Sequence, residues 1–164
     1  MSDGGGLGEV LHRSCVVCGR QNARGLGVRY APQPDGSCTG TFDCDASFQG
    51  YDGVLHGGVV AALLDGAMAH CLLYRERVAH TGNFSMRFRH PVLVGQPVTV
   101  RGFLLRSRIG AHVMSAELSQ EGCLKVTASA TFIEGHFAGG GGASVGVPRT
   151  EVPAQCPARG SPGQ

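Results

Sequence analysis

Apolar and polar residues change rhythm along the chain, and each change of rhythm marks an element. Between Gly25 and Asp45, "GLGVRYAPQ" and "GSCTGTFDCD" alternate on either side of Pro34-Asp35-Gly36. Alternation flanking a Pro-Asp-Gly turn predicts a β-hairpin. From Val59 to Tyr74 apolar residues are nearly continuous. That run is too long for an ordinary strand and predicts a buried helix. Alternation returns in "HTGNFSMRFRH", "QPVTVRGFLLRSR", "AHVMSAELSQ" and "CLKVTASATFIEGH", the last two separated by the Glu121-Gly122 turn. Val98, Val100, Gly102 and Leu104 share one strand face, and Val126, Ala128, Ala130 and Phe132 share another. The expected order is β-β-α-β-β-β-β, an α+β fold with one long helix against an antiparallel sheet. No internal repeat is present.

The ends differ in composition from this middle. Residues 1–10 are Gly-rich and are expected to be flexible. Residues 138–164 are mostly Gly, Pro, Ala and Ser with few large apolar side chains, which predicts a disordered tail. One domain over residues 11–137 remains, consistent with a chain of 164 residues.

Charge narrows the classes of partner. Net charge is only +2 and the basic residues are almost all Arg. This excludes a generic nucleic-acid binder but leaves local phosphate contacts open, because the guanidinium fork matches phosphate geometry. Charged residues make up 16% of the chain, which predicts that partner subunits cover part of the surface. The first residues lack a basic start followed by an apolar block, so no secretory signal is expected. Asp65, Gly66 and His70 interrupt the apolar run, which is too short to span a bilayer. Seven cysteines, an odd number, with no secretory signal predict free thiols in a reducing cytoplasm.

The candidate chemistry lies in "YDGVLHGGVVAALLDGAMAH", Tyr51 to His70. A helix N-terminus offers unpaired N–H groups and a positive dipole end, and glycines let a ligand approach that backbone closely. Gly57 and Gly58 therefore suit an oxyanion site, or else a tight helix start capped by His56. Asp65 stands alone among Val, Ala and Leu. An unpaired buried charge is costly, so it should line a cavity or have a partner. Cys15-x-x-Cys18, with His12 nearby, invites a zinc reading, but a structural site needs four ligands. Cys38 or Cys44 could supply one only by folding back, so no metal is expected. The remaining histidines, His70 and His112 among them, read as surface or locally bonded.

"GYDGVLHGGVVAALLDGAMA" followed by "TGNFSMRFRHPVLVGQPVTVRG" resembles hotdog-fold acyl-CoA thioesterases of the phenylacetyl-CoA and 4-hydroxybenzoyl-CoA thioesterase branch. The resemblance covers about Cys15 to Ile133, and "CVVCGRQNARGLGV" looks like the opening of one subgroup. It implies a long helix wrapped by a curved antiparallel sheet, in homodimers or dimers of dimers. It implies hydrolysis of an acyl-CoA thioester with no metal or redox cofactor, coenzyme A being part of the substrate. Asp65 takes the place of the general base or nucleophile, the Gly57 amide that of the oxyanion donor, and Thr81 that of the residue orienting water or acid. His56 belongs to the same catalytic group. The implied substrate contacts are Gln49, Gly58, Asn83, Arg89, Arg106 and Arg108, with Arg87 a further candidate for phosphate. Many relatives carry Asn or Gln six residues before the motif histidine, where this chain has Gly50. Gly66, larger in relatives, is expected to leave room for the acyl group. A non-catalytic acyl-CoA binder and, less favoured because the acid sits on the helix, a hotdog dehydratase or hydratase are the alternatives.

Overall fold

The computed structural model describes residues 11–135; the expected flexible start and disordered tail lie outside the described residues. The predicted elements all form, in the predicted order. Strands β1 (Arg29–Pro32) and β2 (Cys38–Phe42) make the hairpin, and α1 spans Gly57–Leu73. Strands β3 (Ala79–Phe88), β4 (Val98–Arg108), β5 (Ala111–Gln120) and β6 (Cys123–Glu134) follow. The pattern did not foresee a 3-10 turn at Ala46–Phe48, where the Asp45 carboxylate accepts from the Ser47 N–H at 2.8 Å.

The six strands join in one antiparallel sheet of order β1-β2-β4-β5-β6-β3. The chain therefore leaves the hairpin edge, crosses as α1 and returns at the opposite edge as β3. The helix lies across strands from both halves of the sheet. Val60, Leu63, Leu64, Ala67, Met68, Cys71 and Leu72 are almost entirely buried, at the i, i+3, i+4 spacing of one helix face. They meet Val98, Val100, Met114, Leu118, Val126, Ala128, Ala130 and Phe132, so the strand faces read from the sequence are the core faces. At Gly102 the two layers touch backbone to backbone. A Cβ there would stand 2.5 Å from the Ala67 carbonyl oxygen, so only glycine admits the helix this closely.

Two features position the site. The β3–β6 ladder shifts between Thr81 and Asn83, which makes Gly82 the extra residue of a bulge. Strand β3 has no partner on its outer side among the described residues, and it is ten residues long. An unpaired edge of that length is a template for another strand.

Candidate active site

Helix α1 begins at His56 because that residue holds extended backbone angles, φ −61° and ψ 132°, and its ring caps the first turn. Nδ1 accepts from the Gly58 N–H at 2.9 Å. A neutral ring accepting at Nδ1 carries its proton on Nε2, which points away from the cap as a donor. The His56 carbonyl takes the amides of Val59 and Val60. Of the first helical amides, Gly57 N–H is left without a hydrogen bond among the described residues. A Cβ on Gly57 would lie 3.5 Å from the Phe88 ring at the end of β3, so that ring forms the apolar wall beside the amide.

Asp65 lies eight residues further along α1, half buried where the helix faces the start of β3. The Thr81 hydroxyl donates to Asp65 Oδ1 at 2.6 Å. Burial lifts the Asp65 carboxyl above the usual aspartate range, while the Thr81 bond and the His12 charge pull it partly back. Oδ2 has no partner among the described residues, so it can accept or deliver a proton. The expected partner of the buried acid is thus Thr81, brought there by the bulge at Gly82.

The remaining expected contacts divide by position. Gln49 Oε1 accepts from the Gly53 N–H at 3.1 Å and braces its own loop. A Cβ on Gly50 would stand 3.2 Å from the His56 ring, so a longer side chain at that position would reach the cap. Gly58 is exposed and Asn83 is exposed beside the bulge. Arg87 is exposed near the Phe88 end of β3; Arg89 lies just past that end, with its Nε buried and unpartnered among the described residues. Arg106 and Arg108 are exposed at the opposite end of the sheet, by the Arg108–Ala111 turn. One chain therefore does not bring the two arginine pairs together.

One expectation is corrected and one is narrowed. The space beside Gly66 is not open: a Cβ there would meet the Tyr30 hydroxyl at 2.7 Å and Val17 at 3.0 Å. Tyr30 fills that side of the helix and donates to the Leu63 carbonyl at 2.8 Å. His70 and His112 take the second of the two readings the sequence left open, bonded rather than surface. His112 is 1% exposed, bonded to Ser107 and to Glu134, each at 2.8 Å. His70 is buried, stacks on Tyr30 with ring centres 4.8 Å apart, and places Nε2 at 3.1 Å from Cys18 Sγ. Burial drives the His70 pKa down to about 4. Phe88 was not singled out from the sequence, because it meets the helix start only in space; for His70 the available signal was a histidine on a buried helix face.

The family model for the acyl-CoA thioesterase N-terminal domain matches residues 46–133, from the 3-10 turn through β6. Among solved structures, a thioesterase superfamily protein is 27% identical with a TM-score of 0.67, over 70% of this chain. The chain spans only 60% of that protein's length. A phenylacetic acid degradation-related protein of Ralstonia eutropha JMP134 is 26% identical with a TM-score of 0.60, over 66% of this chain and 85% of that one. A hypothetical thioesterase protein of Streptococcus pneumoniae TIGR4, determined with coenzyme A, shares the fold at 18% identity and a TM-score of 0.61, over 65% and 87%. No curated protein matches the sequence at a significant level.

Proposed function

The chain belongs to the acyl-CoA thioesterase family, and we propose that it hydrolyses an acyl-CoA thioester to the free acid and coenzyme A, with Asp65 as its acid–base group. The observation that carries this reading is the Asp65–Thr81 pair: one carboxylate in an apolar helix, raised in pKa, held at one oxygen and free at the other. Such a group can take a proton from water as the water oxygen attacks the thioester carbon. Negative charge then develops on the former carbonyl oxygen. The Gly57 N–H, at the positive end of α1, is suited to receive it. As the carbon–sulfur bond breaks, the protonated Asp65 can return the proton to the departing coenzyme A thiolate. No redox step enters.

Gly57 and Asp65 stand on one helix, about 12 Å apart at ~1.5 Å rise per residue. Both cannot touch one thioester carbon, so we take the site to be shared between two copies. The open β3 edge supports this. Antiparallel pairing of two such edges about a two-fold axis sets the Thr81 end of one strand beside the Phe88 end of the other. That brings Asp65 of one protomer to the helix start of its partner, and the Arg106 end to the Arg89 end. The coenzyme A phosphates would then lie between both arginine pairs. The free thiols of Cys15, Cys18, Cys38, Cys44 and Cys71 suit the cytoplasm, but the expectation of free thiols fails at Cys123, which is disulfide-bonded.

Gly50 favours a second reading, an acyl-CoA binder without turnover, because no side chain there supports His56. Release of free thiol from phenylacetyl-, hydroxybenzoyl- and medium-chain acyl-CoA separates the two. Turnover abolished by Asp65→Asn supports hydrolysis; binding of the same compounds without thiol release supports the binder.

A further inference from the structure

Where the N-terminal segment meets α1, three soft donors, His12, Cys15 and Cys18, cluster, and His70 of the helix lies against one of them, Cys18. His12 Nδ1 lies 3.4 Å from Cys18 Sγ, and His70 Nε2 lies 3.1 Å from the same sulfur. The ligand atoms of His12, Cys15 and Cys18 all fall within 4.8 Å of one another. The rings of His12 and His70 stand edge to face with centres 5.5 Å apart. Two imidazoles on one tetrahedral zinc, with Zn–N of ~2.0–2.1 Å, have ring centres about 5 Å apart. A sulfur and a nitrogen on that ion lie about 3.5 Å apart. We propose that His12, Cys15, Cys18 and His70 form a closed Cys2His2 structural zinc site that fastens the N-terminal segment to helix α1.

The local backbone supports the assignment. Cys15-x-x-Cys18-Gly19 folds into a tight knuckle in which the Val17 N–H donates to Cys15 Sγ at 3.4 Å. Backbone donors to sulfur stabilise a thiolate ligand. Gly19 closes the knuckle with its N–H on the Cys15 carbonyl at 2.9 Å. A Cβ at Gly19 would lie 2.4 Å from the Cys15 nitrogen, so the turn admits only glycine. Arg29 donates to the Cys18 carbonyl at 2.8 Å and holds the second ligand from outside. The fourth donor is the one the spacing could not supply: His70 comes from the helix, 52 residues from Cys18, in place of the distant Cys38 or Cys44. Four protein ligands fill the tetrahedron and leave no position for water, so the ion would be structural. Its place five residues beyond Asp65 would stiffen the helix that carries the acid.

The site stands whether or not the chain hydrolyses thioesters, so its test does not read turnover. The full chain, reduced and freed of metal with a chelator, is titrated with cobalt(II) alone. The expected result is about one cobalt per chain, with the visible bands of a tetrahedral thiolate-ligated ion, displaced by zinc. Cys18→Ser and His70→Ala should each weaken cobalt binding by tenfold or more, the lower end for losing a ligand or its support. Cys44→Ser, a buried thiol outside the cluster, should leave it unchanged. Should Cys18→Ser not fold, His12→Gln at the cluster's more open edge gives the same comparison. Zinc should also protect Cys15 of the unaltered chain from alkylation. Absence of the tetrahedral bands, uptake well below one ion per chain, or a Cys15–Cys18 disulfide that forms in the presence of zinc would overturn the proposal.

Discussion

Subunit complementation puts the shared site to a direct test. One variant, Asp65→Asn, keeps the shape of the acid and removes its basicity. The other, Gly57→Pro, removes the N–H that would receive the oxyanion. The structure indicates that proline fits. Residue 57 is the first position of α1, where the N–H has no helical partner and proline is favoured. His56 already has the extended angles that a residue before proline requires. A Cβ at position 57 meets Phe88 at an ordinary 3.5 Å. Each variant alone should lose about two to four orders of magnitude in turnover, the usual worth of a positioned acid–base group or oxyanion donor. Unfolded together in equal amounts and reassembled, about half of the dimers should be mixed by two-fold pairing statistics. A mixed dimer has one site with both lesions and one with neither. Half of the dimers with half of their sites intact gives about a quarter of unaltered activity, read as thiol release. Mixed dimers isolated by two affinity tags should carry all of that activity. No recovery from proven mixed dimers, with each variant folded, would mean that one chain builds the site alone.

Asp65 resists ionisation in the folded chain, so its charge opposes folding at neutral pH, and that penalty is relieved as pH falls through its raised pKa. Asp65→Asn should therefore hold or raise the melting temperature while turnover collapses; a clear loss of stability would show that the carboxylate is structural. Thr81→Val removes the bond that holds the carboxyl down, so the acid limb of the pH–rate profile should move to higher pH and turnover should fall about tenfold or more, the scale of a hydrogen bond to a charged group. An unmoved limb would separate Thr81 from the reaction. Gly66→Ala would force Tyr30 off the Leu63 carbonyl and should cost roughly 1–3 kcal/mol in urea denaturation, the range for overpacking. Unchanged stability with altered acyl preference would mean that Gly66 does line the acyl pocket. Arg89→Ala and Arg106→Ala should each raise KM for acyl-CoA but not for an acyl-pantetheine, which lacks the nucleotide phosphates. An unchanged KM in both would move the phosphate site elsewhere.

The alternation of Val98, Val100, Gly102 and Leu104, and the long apolar run holding Asp65, determined the elements, their order and the core faces. Those patterns are local, set by which side of a strand or helix must leave water. The helix start was equally legible, because a histidine followed by two glycines has a local role as cap and open amide. What lies across the sheet was not. Which strand becomes β3's neighbour, and so whether Thr81 reaches Asp65, depends on the crossover through α1 and on a one-residue bulge at Gly82. The room beside Gly66 was taken by Tyr30 from the hairpin, 36 positions earlier (66 − 30), a distance no window of sequence spans. His70 joined Cys18 for the same reason: a donor set is fixed by where side chains converge in space, and sequence spacing supplies only the ligands that share a turn.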